Sequence, residues 1–499
     1  MAINFPKITD FPVLNSLSEK YPKVEIFLVG GAVRDTLLGK KITDIDMLVR
    51  NITGEELEEF LASKGRVIFA GRNFGVWKFN EIGKPNNEIY DIALPRTEFS
   101  MHKQGVYSDF RIKTDPKLPI EEDLSRRDFT INAMAYNLAT EELIDLYDGQ
   151  KDLKKKIIRT VGKPKERFQE DYSRILRAIR FSLQLDFSIE KKTLDTIKII
   201  APSINNEIDG KRILPHEVIS EEFLKSLIAN APKTLDLWDE TGVLVEVLPE
   251  LLKMKGCAQP KKWHTEGDVW NHTRIALEVL STKEFKNEFP KEKVDLELII
   301  TTLFHDIGKP YTITTPEKDN ADRVRFNNHD AVGAKITREA LERIKISAPE
   351  GIGVDPSGIS WIIENHMLLV HGEPSTLKPN TIEKYFFNPN KPSRNLMKLM
   401  FVDGLATIGP DGKGFRNKFD DLCRRIAEIK KVTKSHGQKL AKPLVNGKDI
   451  MKILKINGGE DVGNILENVR QLQLSGKLKS RNDATEYLKK IYENNHKNN

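Results

Sequence analysis

The chain has 499 residues, too many for one hydrophobic core, so about three or four domains are expected. With 39% apolar and 30% charged residues it has the balance of a globular protein rather than a disordered one. Its two cysteines, Cys257 and Cys423, form no C-x-x-C pair, which excludes a disulfide framework and makes a reducing cytoplasm the expected location. The N-terminal MAINFPKITDFP lacks the apolar region of a signal peptide, and no run approaches membrane-spanning length. The net charge of +6 is unevenly spread: residues 411–499 hold 20 lysines and arginines against 11 aspartates and glutamates, a local +9. Such a tail favours a polyanionic partner, although a solvated surface is the common alternative.

Residues 1–24, punctuated by Pro6, Pro12 and Pro22, read as a leading helix or irregular cover. Ile26 to Val29 is an apolar run of strand length that breaks at Gly30-Gly31. A helical segment, Ala32 to Leu38, is closed by Gly39, and a second strand runs from Ile45 to Val49. Gly54 to Lys64 has helical spacing, with further strands at Val67–Phe69, Val76–Phe79 and Ile89–Leu94. Beyond about Lys151 strands are not expected. Phe168–Leu185, Lys191–Ile199, Pro215–Ile228, Thr234–Leu244, Val269–Val279 and Leu296–Phe304 all space apolar residues three and four apart. Pro249–Lys262, Thr312–Ala321 and Thr407–Lys418 are candidate linkers, and no fixed-period repeat is present.

Residues two apart in a strand point the same way, so Asp44 and Asp46 place two carboxylates on one face. Paired carboxylates repel unless a cation lies between them, and hard oxygen ligands suit Mg²⁺. Gly30 and Gly31 let backbone N–H groups approach a phosphate closely at the start of a helix. A solvated acid pair is the usual reading of a lone D-x-D. Its apolar strand context, directly after GGAVRD, favours the catalytic one. Arg34 either reaches a triphosphate or pairs with Asp35. Asp91, a single acid in an apolar strand, is the candidate third carboxylate, the alternative being an edge-strand residue facing water.

In Glu122–Ala133 two arginines and an acid precede what reads as an apolar helix. There Arg127 would neutralise phosphate and Asp128 accept from a ribose hydroxyl, unless the group is only a capping cluster. Ile144–Gly149 reads as a strand ending in a D-G turn. Asp171 and Arg174, three apart on an expected helix, offer an acceptor and a fork donor able to match a base's Watson–Crick edge. Their bland alternative is an i,i+3 salt bridge worth a few tenths of a kcal/mol. Arg177 and Arg180 follow on the same run and join the nucleotide-binding candidates.

The series GGAVRD, DID, RRDFTINAMA, DLYDG and EDYSRILRAIRF, in this order and spacing, resembles the class II CCA-adding and poly(A) polymerase family. The resemblance implies that Asp44 and Asp46 hold Mg²⁺ and that Arg127 and Asp128 handle ribose and triphosphate. It also implies that Asp171 and Arg174 form a protein template selecting CTP and then ATP. It covers at least residues 25–250, through a helical neck and body ending VLPEL. Gly71–Val76 looks more like the CCA-adding pattern than the basic run of bacterial poly(A) polymerases. The loop-like segment Arg96–Asp115 falls where the family has a flexible loop needed for the switch to A addition.

In the second half, Leu296–Phe304 delivers His305-Asp306, followed by Ile307-Gly308-Lys309-Pro310. Histidine and aspartate at a helix end, with more histidines on other helices, are able to ligate a divalent metal, although any single histidine is more often a core or surface residue. Together they resemble the HD phosphohydrolase superfamily with its ligands H…HD…H…H…D. Carried over, the ligands are His272, His305, Asp306, His329, His366 and Asp403, the last placed only by its helical context Leu399–Leu405. His264 has another role or none. The resemblance implies hydrolysis of phosphomonoesters or 2′,3′-cyclic phosphates with a divalent transition metal. Pro443 to Ile491 looks like the tail of CCA-adding enzymes, its basic excess suited to a tRNA backbone.

The expected fold is α+β: a mixed-β nucleotidyltransferase head (20–150), then a helical neck and body (151–250), an HD domain (262–405) and a basic helical tail (411–495). The expected activity is CCA addition to tRNA from CTP and ATP, with no membrane or DNA partner. The alternatives are a poly(A) polymerase, an enzyme adding only CC or only A, and an HD phosphohydrolase whose head only binds RNA.

Overall fold

The apolar run at Ile26–Val29 becomes an inner strand of a mixed sheet in the computed structural model, which describes residues 4–42, 44–71, 75–83, 85, 89–100, 110–319, 321–369, 373–432 and 442–497. The strands of the first third are β1 (Glu25–Val29), β2 (Ile45–Arg50), β3 (Gly65–Gly71), β4 (Val76–Glu81), β5 (Tyr90–Ala93), β6 (Arg96–Ser100), β7 (Phe110–Thr114), β8 (Met134–Asn137) and β9 (Glu142–Asp145). Seven of them form one sheet in the order β3-β4-β5-β2-β1-β8-β9. Pairing is antiparallel except between β2 and β5. From Ile26 onward β1 is buried on both faces, which is why it reads as a continuous apolar run rather than an alternating one.

The helices around it are α1 (Pro12–Lys20), α2 (Gly31–Leu37), α3 (Gly54–Ala62) and α4 (Ile120–Ser125). Thr53 and Glu56 cap α3 reciprocally. Ile120 and Leu124 of α4 pack with Phe27, Val29, Leu48 and Ala135, so one sheet face is sealed beside the strand that carries Asp46. There follow α5 (Gly149–Lys155), α6 (Pro164–Glu170), α7 (Ser173–Leu185), α8 (Lys191–Ile200), α9 (His216–Glu240) and α10 (Val243–Val247). Within α9, Asn230 leaves helical geometry just before Pro232, and this kink separates the two expected helices.

Three expectations need correction. Short strands do occur after residue 151: Ile157–Ile158 pairs with Ser188–Ile189, Glu207–Ile208 with Lys211–Arg212, and Ile313–Thr314 with Arg325–Phe326. The segment read as a loop at Arg96–Asp115 is an antiparallel ribbon of β6 and β7; residues 101–109 between them lie outside the described residues, as do 72–74 of the Gly71–Val76 pattern. After Arg127-Asp128 there is no apolar helix, only a single 3₁₀ turn (Thr130–Asn132) leading into β8, whose pairing with β1 outweighs the local helical pattern.

The chain divides into two compact units, Met1–Val247 with Ala348–Gly351, and Leu248–Ser347 with Ile352–Asn499. The second is helical. Helices Val269–Val279, Leu296–Phe304, His329–Arg343, Pro356–Asn365 and Ser393–Ala406 form its centre. Gly308 passes so close to helix His329–Arg343 that a Cβ would meet the His329 carbonyl oxygen at 2.0 Å, so only glycine fits. Helices Gly447–Leu454, Glu460–Leu474 and Arg481–Lys497 have a core of their own, with Val445, Ile450, Leu454, Val469 and Leu488 among its members. No helix of the described residues is long and apolar enough to cross a membrane.

Candidate active sites

In the first unit Asp44, Asp46 and Asp91 line a cavity of about 610 Å³. The parallel register sets Asp46 beside Asp91, with Asp44 two residues before Asp46 on the same face. This corrects the edge-strand alternative for Asp91, since β5 lies between β4 and β2. Burial above all, and then Asp91 and Asp44, pushes Asp46 up to about 6 against the pull of Arg127. Burial also raises Asp91, whose Oδ1 is enclosed without a hydrogen bond, with Lys78 Nζ 3.9 Å away. Gly30 has φ +65°, and a Cβ there would stand 2.9 Å from Arg127 Nη1 and 3.6 Å from Asp46 Oδ2. The backbone shape favours glycine there, and a side chain would press on the mobile end of Arg127.

Seven arginines line the same cavity, and most are already tethered. Arg34 grips Asp35 through two bonds of 2.9 Å and Asn132 through a third, so the pairing alternative holds for its guanidinium even though it lines the cavity. Arg126 and Arg127 share the fully buried Asp123, whose acidity they strengthen against the cost of burial. Arg177 holds Asp128 Oδ2 at 3.0 and 2.6 Å, while Asp128 Oδ1 accepts from Phe129 N and Asn132 Nδ2. Both oxygens of Asp128 are therefore engaged within the protein, and the residue also lines the cavity. Burial opposes the charge on Arg177, yet Asp128 and Glu222 raise its pKa. Arg180 is anchored on the buried Glu222 at 2.6 Å and lies over the Phe181 ring.

Asp171 and Arg174 do not share a helix face. Asp171 sits in an extended break between α6 and α7, where its Oδ1 accepts from Ser173 N at 2.8 Å and so competes with helix continuation. Arg174 Nη1 binds Glu170 and the Arg167 carbonyl, and Nη2 binds the Arg126 carbonyl. Its Nε stands 3.9 Å from Asp171 Oδ2, beyond hydrogen-bond reach, and both residues line the cavity. Asn132, Asp123, Phe181 and Glu222 were not legible as site residues, because each acts on an arginine placed by another motif.

In the second unit all six expected ligands converge. His272 Nε2 lies 3.1 Å from Asp403 Oδ1 and 3.3 Å from His305 Nε2. His329 Nε2 and His366 Nε2 lie 3.5 and 3.8 Å from Asp306 Oδ1, while Asp306 Oδ2 faces His305 at 3.4 Å and His272 at 3.7 Å. Asp306 thus links two trios. The Nδ1 atoms of His305, His329 and His366 each meet a backbone carbonyl of their own turn, at 2.8, 2.8 and 2.6 Å, which turns every Nε2 inward. Burial lowers His329 to about 4, leaving it neutral. For His305 burial opposes the charge, but Asp306 and Asp403 hold it up at about 10. Sequence reasoning missed Glu266, whose Oε1 takes His264 Nδ1 at 2.6 Å and His272 Nδ1 at 3.0 Å. It also missed Lys309, whose Nζ lies 2.6 Å from Asp306 Oδ2.

Two segments match known domain families: residues 26–159 the Poly A polymerase head domain, and residues 269–407 the HD domain. Over 328 residues, 65% of this chain, the sequence is 34% identical to the multifunctional CCA protein of Vibrio parahaemolyticus, of which 71% is covered. The chain belongs to the family of multifunctional CCA proteins. That of Pseudomonas fluorescens is 33% identical over 64% of this chain and 71% of its own. The fold matches the CCA-adding enzyme of Bacillus stearothermophilus, solved with CTP, at a TM-score of 0.62 and 21% identity over 99% of this chain and 100% of that one. For the Thermotoga maritima CCA-adding enzyme, solved with tRNA, the TM-score is 0.57 at 20% identity, over 98% and 96%.

Both donor sets of the chain fit metal ions, in different ways. In the second unit, His272, His305 and Asp403, and likewise Asp306, His329 and His366, bring their ligand atoms within 4.8 Å of one another. The buried Nε2 atoms of His329 and His366 have no hydrogen-bond partner, as expected of imidazoles kept for a metal. In the first unit the donors are carboxylates only, open to a cavity, which suits a hard ion that keeps part of its hydration.

Proposed function

We propose that this protein adds C, C and A in turn to the 3′ end of tRNA, taking the residues from CTP and ATP without a nucleic-acid template. The observation that carries this reading is the single cavity in which three carboxylates on one sheet face meet seven arginines, in a chain of the CCA family. Asp44 and Asp46, with Asp91 beside them, would hold Mg²⁺, which supplies a more acidic 3′ hydroxyl and charge neutralisation on the triphosphate. The chain's own groups do the rest. Gly30 leaves room for the phosphates, and the tethered Arg127 faces them. Asp171 Oδ2 and Arg174 Nε are the groups left to read the base edge. The acceptor's 3′ oxygen bonds to the α-phosphorus, the bond from that phosphorus to its bridging oxygen breaks, and pyrophosphate departs as the hydroxyl proton passes to solvent.

The four-part division into head, neck and body, HD domain and tail goes with this reading. The basic tail takes the sugar–phosphate backbone and fixes register rather than reading sequence. The free thiols Cys257 and Cys423 accord with a cytoplasmic enzyme. The test incubates the protein and Mg²⁺ with tRNA lacking CCA, giving CTP alone, ATP alone, or both. CTP alone should add CC and the pair should complete CCA. A long A tract on generic RNA would identify a polymerase instead, and unaltered extension by Asp44→Ala would sink the proposal.

A second activity is favoured by the inward Nε2 atoms of the HD cluster. With a divalent transition metal held by His272, His305, Asp306, His329, His366 and Asp403, the site would hydrolyse phosphate esters: water adds to phosphorus and the alcohol leaves. Lys309, beside Asp306, contributes positive charge next to the ligands. Phosphatase activity should survive Asp44→Ala and vanish in Asp306→Ala.

A further inference from the structure

In the first unit the carboxylate face of the sheet continues past the carboxylates. Residues paired directly across neighbouring strands point to one face, and one such row runs Asp46 on β2, Asp91 on β5, Lys78 on β4 and Ile68 on β3. Lys78 therefore stands one strand spacing, about 4.8 Å, beyond Asp91 and beside the cavity that Asp91 lines. Its Nζ is 3.9 Å from Asp91 Oδ1, outside hydrogen-bond range, and 49% of its side chain is exposed.

The two flanks of this row differ. Toward β1 and β8, Arg127 Nη1 donates to the Asn132 carbonyl just before β8 and crowds the Cβ position of Gly30, which is itself 3.6 Å from Asp46 Oδ2. Arg34 on α2 donates to Asn132 Oδ1 and lies 5.4 Å from the Phe181 ring, which Arg177 and Arg180 also face. Arg174 is tied to the Arg126 carbonyl. The cavity's arginines, all but Arg96, thus form one connected group on the flank nearer Asp46. On the opposite flank, beyond Asp91, the row presents Lys78 and then Ile68, which is 41% exposed on the edge strand.

In-line displacement puts the attacking 3′ oxygen and the departing pyrophosphate on opposite sides of the α-phosphorus. With the triphosphate on the arginine flank, the 3′ end of the acceptor comes over Asp91 from the β4 flank. The phosphate joining its last two nucleotides then lies on the side of Lys78, whose ammonium can meet it as a point charge. We propose that Lys78 binds this last internucleotide phosphate, and so holds the tRNA acceptor rather than the incoming nucleotide. This rests on the CCA-adding reading above. Each addition leaves a new last phosphate in the same place, so the contact serves all three steps and carries no base preference.

The full-length protein is assayed with Mg²⁺ at low salt on tRNA ending before CCA, after C and after CC. Lys78→Gln should raise KM for each tRNA about threefold to fivefold, the worth of one exposed ion pair, and Lys78→Arg should restore it. KM for CTP and ATP should stay where it is. The slope of log KM for tRNA against log salt should flatten by about 0.7, the release of one counterion from a single strand. A binding arm needs no turnover: without nucleotides, an uncharged methylphosphonate at the last linkage of the tRNA should weaken binding to the wild type as much as Lys78→Gln does. The two changes together should cost no more than either alone. A raised KM for CTP or ATP, or an unmoved salt slope, would overturn the assignment. So would a lower kcat with KM for tRNA unchanged, the mark of a lysine that only balances Asp91. If the wild type extends no tRNA, the CCA-adding reading falls and the binding arm alone decides: coupled losses keep the contact, independent losses end it.

Discussion

The two sites solve the problem of holding charge in opposite ways. In the second unit, six ligands meet in a buried cluster, three of its four rings oriented by backbone carbonyls three residues before them and the fourth, His272, by Glu266. In the first, Asp46 and Asp91 stand on adjacent strands, with Asp44 just before one of them, in an open cavity, and order comes from the arginines opposite, most of them tethered to an acid or a carbonyl. The cluster is built for one small occupant. The cavity is built for a large, changing one, with walls fixed and floor left open. On the proposed function the site accepts CTP and then ATP and gains from that arrangement, because the tethered arginines cannot fold in and fill the space between substrates.

The largest effects should come from crossing the two sites. Asp44→Ala should reduce nucleotide transfer about a thousandfold or more, the loss of several kcal/mol of charge stabilisation, while ester hydrolysis persists. Asp306→Ala should do the reverse. Radiolabelled tRNA extension and phosphate release, measured on the same preparations, check both; any variant that abolishes both activities breaks the separation.

Next in size is the tether. Asp123 is 0% exposed and carries both Arg126 and Arg127, so Asp123→Asn should cost about 3 kcal/mol by removing the buried charge that both guanidiniums share. Because its folded pKa lies below the ordinary 3.8, its contribution is fully present above about pH 4 and is lost as pH falls through the lowered folded value. The gap in unfolding midpoint between wild type and variant should hold from neutral pH down to about 4 and close below it. A gap that instead closed near pH 7 would mean the carboxylate does not carry the charge assigned to it.

How far the sequence reveals each site follows from the range of the interactions. Asp44 and Asp46 are legible because strand alternation is local, and His305-Asp306 because the helix Leu296–Phe304 presents it with clear periodicity. The break at Asp171 is not legible, because apolar spacing runs on through Phe168–Leu185 while a side-chain bond to Ser173 N stops the helix. The strand after RRDFTIN is set by pairing with β1, more than a hundred residues back, against a locally helical pattern. Glu222 meets Arg180 across 42 positions, and nothing near it marks it out. Glu266 did leave a signal: an acid between His264 and His272 in the turn leading to a ligand-bearing helix.

That acid gives a finer test of the preassembled cluster. Glu266→Gln keeps the shape but weakens the carboxylate hold on His272 Nδ1, and second-partner losses of this kind lower metal affinity about 10- to 100-fold. Competition with a chelator, followed by metal release, reads the change directly. Transfer of C and A should be untouched. An affinity that does not move would mean that the backbone carbonyl bonds of the other three rings suffice to hold the cluster.

The smallest effect probes the floor of the open cavity. Gly30→Ala must adopt a left-handed backbone, a strain of about 1 kcal/mol, and its methyl meets Arg127 Nη1 at 2.9 Å. The guanidinium is the mobile end of a side chain, so it should yield and the head should still fold with a modest loss of stability. The yielding itself is what matters. Arg127 would be drawn off the line it holds between Asp123 and the Asn132 carbonyl, and KM for CTP and ATP should rise together while hydrolysis in the second unit stays constant. A rise for one nucleotide only would place Gly30 in base selection rather than in phosphate accommodation, and would give the floor of the cavity a share of the specificity otherwise assigned to Asp171 and Arg174.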